Sequence, residues 1–202
     1  MAEISAEQVK ALRQATGAGM MACKSALQDA DGDLVRATEI LREKGLASAA
    51  KRAGRSADQG RVDSYIHFNN TVGVLIEVNC ETDFVANTDQ FKALVKDIAL
   101  HIASPASPIY LDREQVPQDV IEQETKIAEA QAREAGKPDN VVPRIVEGKV
   151  ASYYKDTVLL EQPYVKDDSK TVQQLLDETS AAVGEKVAVR RFVRYKLGEE
   201  GD

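Results

Sequence analysis

The sequence predicts an α+β protein: short helices first, then an antiparallel sheet with packed helices, and a final strand. Three observations carry that prediction. Through residues 1–45 apolar side chains recur at three- and four-residue intervals. From Arg61 the period drops to two, in "RVDSYIHF" and "VGVLIEVNC". After Cys80 the helical period returns, until "KVAVRRFVRYKL" near the C-terminus alternates again.

The first 45 residues divide into three helices. Ser5 and Gln8 form a capping-box pair that opens a helix to about Ala15, with Val9 and Leu12 inward. "TGAG", Thr16 to Gly19, breaks it, and a second helix runs from about Met20 to Ala30. Beyond the turn "DADGD", Asp33 caps a third helix with Leu34, Ala37, Ile40 and Leu41 on one stripe; Gly45 suits its C′ position. Residues 46–60, "LASAAKRAGRSADQG", are small and polar and read as a linker with a helical start.

The two alternating runs flank Asn69-Asn70-Thr71, a hairpin turn. Val72, Val74, Ile76, Val78 and Cys80 then share one face of the second strand. Asn87 with Gln90 reads as another capping box, opening a helix with Phe91, Leu94, Val95, Ile98, Ala99 and Ile102 on one side. "SPASP" stops it. Residues 109–156 read as helical: Pro117 in the first turn of a helix to about Ala135, "GKP" as its end, and a partner helix from about Asn140 to Tyr154. This polar pair suits a projecting arm. "LLEQPYVKDD" is a loop or irregular strand; Thr171 with Gln174 opens a helix carrying Val172, Leu175 and Leu176, closed by Gly184. The expected domains are a helical domain 1–45, a linker 46–60, a core 61–198 with an arm 109–156, and a tail 199–202.

Composition narrows the function classes. The 202 residues, 43% hydrophobic and 29% charged, suffice for one sizeable core or a small and a medium domain. A net charge of −7 argues against bulk attraction to nucleic acid or an anionic membrane, though not against a local basic patch. Cys23 and Cys80, far apart, make neither a disulfide framework nor a zinc site and suggest a reducing compartment. The start "MAEISAEQVK" lacks both a signal-peptide h-region and an Arg-rich presequence. No run approaches the ~20 apolar residues of a membrane span. The expectation is a cytoplasmic protein, complete from its initiator Met, with no membrane contact, no cofactor and no metal.

Few motifs suggest chemistry. "GAGMMA" matches G-x-G-x-x-A but follows a helix, whereas a dinucleotide site needs a preceding strand; its glycines suit a helix–helix turn. Met20 and Met21 cannot both face a small core, so one exposed Met suits a protein-binding surface, against a purely structural reading. His67 and His101 have no nucleophile beside them, and Cys80 ends an apolar face as a packed thiol. Triad partners can lie far apart in sequence, but no paired-carboxylate or metal-ligand motif stands out, so enzyme activity is the weaker reading. In "RRFVRY", Arg190, Phe192 and Arg194 share a strand face: an RNA platform, or a solvated face with arginine stems over apolar neighbours. Phe84-Val85, in "ETDFVANTDQF", either tucks under the helix that follows or projects from a stiff corner into a pocket of another protein.

Taken together, "LRQATGAGMMACKSAL", "KGLASAAKRAGR", "GVLIEVNCETDFVANTDQF", "KDIALHIA" and "GEKVAVRRFVRY" closely resemble the bacterial elongation factor Ts family, in order from about Glu7 to Tyr195. The length resembles the family's short form, with one copy of the core module. The resemblance implies a non-enzymatic guanine-nucleotide exchange factor for elongation factor Tu, the GTPase that delivers aminoacyl-tRNA. It implies a ubiquitin-associated-like helical module and an α+β dimerisation core with a helical hairpin arm, the short form pairing as a homodimer. It assigns Thr82, Asp83, Phe84 and Val85 to the motif that enters the GTPase beside its Mg²⁺ and phosphate site. Met20, Met21 and Lys24 match the family's N-terminal contact surface, and Lys51 a linker position that adds a salt bridge. His101, Val183 and Gly184 match positions facing the partner's other domains. Ala22 stands where many members carry Asp, which puts one local cap or contact in doubt. The rival reading is an RNA-binding or ribosome-associated adaptor using "RRFVRY".

Overall fold

The computed structural model describes residues 4–199; residues 200–202 of the expected tail lie outside the described residues. The helices are α1 (Ala6–Thr16), α2 (Met20–Asp29), α3 (Leu34–Arg52), α4 (Asp83–Ala86), α5 (Asp89–Ala103), α6 (Gln118–Glu134), α7 (Val142–Thr157) and α8 (Val172–Val183). The strands are β1 (Gln59–Ile66), β2 (Val72–Cys80), β3 (Pro163–Tyr164), β4 (Asp167–Thr171) and β5 (Ala188–Lys196). One sheet has the order β1-β2-β5, and β3 pairs with β4 antiparallel. Helices and antiparallel strands together make this a mixed α+β fold. The residues form two compact units. One comprises the chain up to Asp63 with Glu77–Val95 and Gln174–Arg190, the other Ser64–Ile76, Lys96–Gln173 and the chain from Arg191.

In the first unit, both halves of the expected capping box form: Ser5 N–H donates to Gln8 Oε1 at 2.9 Å, and Gln8 N–H to Ser5 Oγ at 3.2 Å. α1 stops at Gly17, whose φ of 68° is the left-handed conformation a glycine adopts without a Cβ penalty. Val9, Leu12, Cys23, Ala26, Leu27 and Ala37 form a small buried cluster, with Ile40 and Leu41 at its margin. Leu34, expected on the same stripe, is instead exposed.

The helix capped by Asp33 does not end at Gly45. α3 continues to Arg52, taking in half of the expected linker. The cause is tertiary. A Cβ at Gly45 would lie 3.4 Å from Ala181 Cβ, and Arg42 Nη2 donates to Gln174 Oε1 at 2.8 Å, so α3 lies close along α8. Packing of that kind outweighs the roughly 1 kcal/mol that a mid-helix glycine costs against alanine. Gly60 is required for a different reason: with φ at 148°, a Cβ there would stand 2.1 Å from Val78 O, on the neighbouring strand.

The capping of α5 also differs from expectation. Thr88, not Asn87, caps it, its hydroxyl accepting from Phe91 N–H at 3.2 Å. Asn87 faces the other way, its Nδ2 donating to Asp83 O at 2.9 Å and closing α4. The inward row of α5 is as expected: Phe91, Leu94, Val95, Ile98, Ala99 and Ile102 are all buried.

In the second unit, Asn69 Oδ1 accepts from the Thr71 amide and hydroxyl, Asn70 has φ 57°, and His67 N–H donates to Val72 O at 2.9 Å, closing the expected hairpin turn. α6 and α7 pack on each other through small residues, Ala128 and Ala132 being buried along with Val142. The segment Ile109–Val116, expected to be helical, is not. Tyr110 forms an isolated parallel bridge with Val158, and Asp112 caps a single 3-10 turn, Arg113–Gln115. Arg113 is committed elsewhere: it pairs with Glu161 and stacks 4.4 Å from the centre of the Tyr154 ring. The stretch "LLEQPYVKDD" resolves into a 3-10 turn at Leu159–Glu161 followed by the β3–β4 pair.

Candidate partner-binding site

Phe84 is 81% exposed, whereas Phe91 on the next helix is fully buried. The first therefore does not tuck beneath the helix that follows. Its position follows from α4, a single helical turn. Thr82 caps it in extended conformation, its hydroxyl accepting from Val85 N–H at 3.4 Å. Ala86 points inward and is buried, Val85 is half-buried, and Asp83 and Phe84 are left on the solvent side.

Every polar atom of Thr82 is engaged. Glu185 Oε2 accepts from the Glu81 and Thr82 amides at 3.1 and 3.0 Å, and Glu185 Oε1 from the Thr82 hydroxyl at 2.6 Å. The Thr82 carbonyl accepts from Ala86 N–H and from the Cys80 thiol, 3.2 Å in each case. Burial, reinforced by the Glu185 charge, pushes the Cys80 thiol up, which keeps it protonated and able to donate. Glu81 returns the arrangement in the other direction: its Oε1 accepts from Lys186 N–H at 2.6 Å and from Arg55 Nη1 at 3.2 Å. That backbone bond, helped by Arg55, holds the Glu81 carboxyl below its usual range. Lys186 Nζ in turn donates to Ala53 O and Arg55 O at 2.7 and 2.9 Å. Two carboxylates thus tie the corner to the end of α8 and to the segment after α3. Sequence reasoning missed both, since Glu185 lies 103 positions from Thr82 and no local spacing announces the pairing.

The other residues singled out by sequence are distributed as follows. Met20 and Met21, in the first turn of α2, are both exposed, at 59% and 76%, as are Lys24 and, in the last turn of α3, Lys51. Val183 is half-buried at the end of α8, and Gly184 follows it exposed with φ 79°. A Cβ at Gly17 would lie 3.7 Å from Gln90 Nε2 and 4.0 Å from Ala182 Cβ. The α1–α2 turn therefore sits beside the start of α5 and the end of α8, which places the methionine helix, the Phe84 corner and the α8 terminus in one unit.

His101, in the second unit, is fully buried. Gln162 Nε2 donates to Ala106 O and Asp156 O at 2.9 and 2.8 Å, so its Oε1 accepts from His101 Nε2 at 2.9 Å. Val165 N–H donates to His101 Nδ1 at 3.2 Å. Burial holds this imidazole below its usual range, against the opposing effect of Gln162. Such a histidine is an internal polar strut in the free chain and offers no surface to a partner. The RNA-platform row is also broken: Arg190 is exposed, but Phe192 and Arg194 are half-buried, and Arg194 pairs with Glu199 at 2.7 Å.

The fold is a mixed α+β fold, and at the candidate site it offers a projecting aromatic on a braced turn. Comparison with known proteins gives the family. The elongation factor Ts family model matches residues 3–199. The chain is 59% identical over 196 residues to elongation factor Ts of Thermoanaerobacter pseudethanolicus, covering 97% of this chain and 96% of the relative. It is 58% identical to that of Geobacter metallireducens over 97% of this chain and 90% of the relative, and 57% identical to that of Desulforamulus reducens over 98% and 91%. The chain belongs to the elongation factor Ts family. It is a translation elongation factor, and nucleotide exchange is the family's role. Family membership implies elongation factor Tu as its partner.

Proposed function

We propose that this chain promotes GDP release from elongation factor Tu by driving Phe84 into the GTPase domain, with Asp83 acting beside the loops that hold Mg²⁺. The observation that carries the reading is the exposure of Phe84 on a turn whose base is fully hydrogen-bonded. Mg²⁺ is held by few protein ligands together with nucleotide phosphates, so a small displacement of those loops releases it and leaves the phosphate charge unbalanced.

Magnitudes show why one residue is not enough. A ~1,000-fold faster release needs a barrier about 4 kcal/mol lower. Burying one phenylalanine supplies roughly 1.5–3 kcal/mol, part of which goes into distorting the partner. Further contacts must hold the partner while the ring enters. Met20, Met21 and Lys24, with Lys51, Val183 and Gly184, supply them; His101 supports its own unit from inside. Exchange is linkage, so nucleotide weakens this protein's binding by the same factor by which this protein weakens nucleotide binding. No covalent chemistry is involved.

The chain also pairs as a homodimer through the outward face of its hairpin. Ile66, Phe68, Leu75, Tyr195 and Leu197 are exposed there, Phe68 at 87% and Leu197 at 80%. Contiguous apolar exposure of this kind marks an association surface. Among the described residues no helix is long and apolar enough to cross a membrane; the place of action is the cytoplasm, where translation runs. Stopped-flow release of fluorescent GDP from elongation factor Tu tests the exchange reading. Phe84→Ala should fold normally and lose most of the acceleration, and an unimpaired Phe84→Ala would remove the wedge.

A further inference from the structure

We infer that Glu185 is a positioning residue for nucleotide exchange: through Thr82 it holds the Thr82–Val85 turn in its projecting form, so that Phe84 meets the partner already ordered. The inference rests on the wedge reading of Phe84. A helix of one turn has too few internal hydrogen bonds to persist alone, because nucleation fixes several dihedrals for a single bond. α4 is that short, so its shape must be imposed from outside.

Glu185 is placed to impose it. An ionised carboxylate only accepts hydrogen bonds, and this one takes them from two consecutive backbone amides and from the Thr82 hydroxyl. Because the hydroxyl proton points at Glu185, its lone pairs are left free to cap Val85 N–H. One side chain therefore fixes the backbone entering α4 and the orientation of its cap together. Glu185 stands just beyond the end of α8, after Gly184, and is anchored in its own right, its carbonyl accepting from the Ser180 hydroxyl at 2.5 Å. Ordering before encounter reduces the entropy lost when the ring enters the partner. Glu185 itself is only half-buried and acts through Thr82.

The test is the concentration dependence of stopped-flow GDP release from elongation factor Tu, read as a maximal rate and a half-saturating concentration. Glu185→Gln turns an amide N–H toward donors that need an acceptor. It should lower the maximal rate on the order of tenfold while moving half-saturation by no more than about twofold, since misplacement of the reacting group and not the holding contacts is affected. Thr82→Val, which lacks the hydroxyl, should reproduce the loss, and Thr82→Ser, which keeps it, should restore the wild-type rate. In a Phe84→Ala background Glu185→Gln should add less than about twofold, as expected for residues acting through one another. A wild-type maximal rate for both Glu185→Gln and Thr82→Val, with Phe84→Ala impaired, overturns the role of Glu185 and leaves the wedge standing. An undiminished tenfold loss in the Phe84→Ala background overturns it too, because Glu185 would then act elsewhere. A wild-type rate for Phe84→Ala alone overturns the wedge itself. Should Glu185→Gln fail to fold, the Thr82→Val and Thr82→Ser pair decides by the same criteria.

Discussion

The Thr82–Ala86 corner and the outward face of the hairpin both expose large apolar side chains, and they do so in opposite ways. At the corner one phenylalanine stands alone above a base in which Thr82 has every polar atom bonded. On the hairpin face Ile66, Leu75 and Tyr195 lie on three strands, with Phe68 in the turn between β1 and β2 and Leu197 just past β5. The difference separates two uses of apolar surface. In the proposed reading the broad face holds a second copy of the chain, as apolar patches of association surfaces do. A single ring gives little affinity, but on a stiff base it can push, because the energy of its burial is not lost in ordering its own turn.

Breaking the corner should have the largest effect. Phe84→Ala should slow maximal GDP release by up to about a hundredfold, the equivalent of roughly 2.7 kcal/mol. Circular dichroism should stay native, because an exposed ring contributes little to the fold. The hairpin face is broken differently: Leu75→Asp with Tyr195→Asp should convert dimer to monomer by light scattering at micromolar concentration. A wild-type protein already monomeric there would contradict the dimer. Asp83→Ala sharpens the division of labour within the corner. Its loss of rate should be several-fold only and should vary with Mg²⁺ concentration, since a carboxylate acts on the metal loops through charge. An effect identical at all Mg²⁺ levels would take the metal out of the mechanism.

The smallest expected effect lies at His101, buried within the second unit. His101 has its pKa lowered in the folded chain from 6.5. Between 6.5 and that lower folded value the unfolded chain binds more protons, so stability is full above about pH 6.5 and falls as pH drops through this window. Thermal melts of the wild type from pH 7.5 to 5 should show the decline, and His101→Gln should flatten it. An identical slope in both would mean that other groups set it.

Much of this molecule was legible in its sequence wherever the cause is local. The Ser5–Gln8 box, the Asp33 cap, the breaks at Gly17 and Gly184, the Asn69–Thr71 turn and the buried row of α5 each depend on residues a few positions apart. Elements whose boundary depends on a distant neighbour were misread. α3 runs through Gly45 because α8 lies against it, and Ile109–Val116 is drawn out of helix by its bridge to Val158 and by the Arg113–Glu161 pair. The Asn87 cap failed more narrowly: α4 commits Asn87 to the turn before it, and Thr88 caps α5 instead.

The sequence by itself determined the order of the longer helices and of β1, β2 and β5, most of their inward faces and the "TDFV" motif, since propensity, capping and periodicity act over one or two turns of chain. Tertiary structure alone decided that Phe84 faces solvent and that Glu185 and Glu81 secure the turn beneath it. It also decided that His101 is an internal strut. Those outcomes depend on which groups from remote parts of the chain reach hydrogen-bonding distance, and a polar group withdrawn from water must find such a partner wherever the fold brings one.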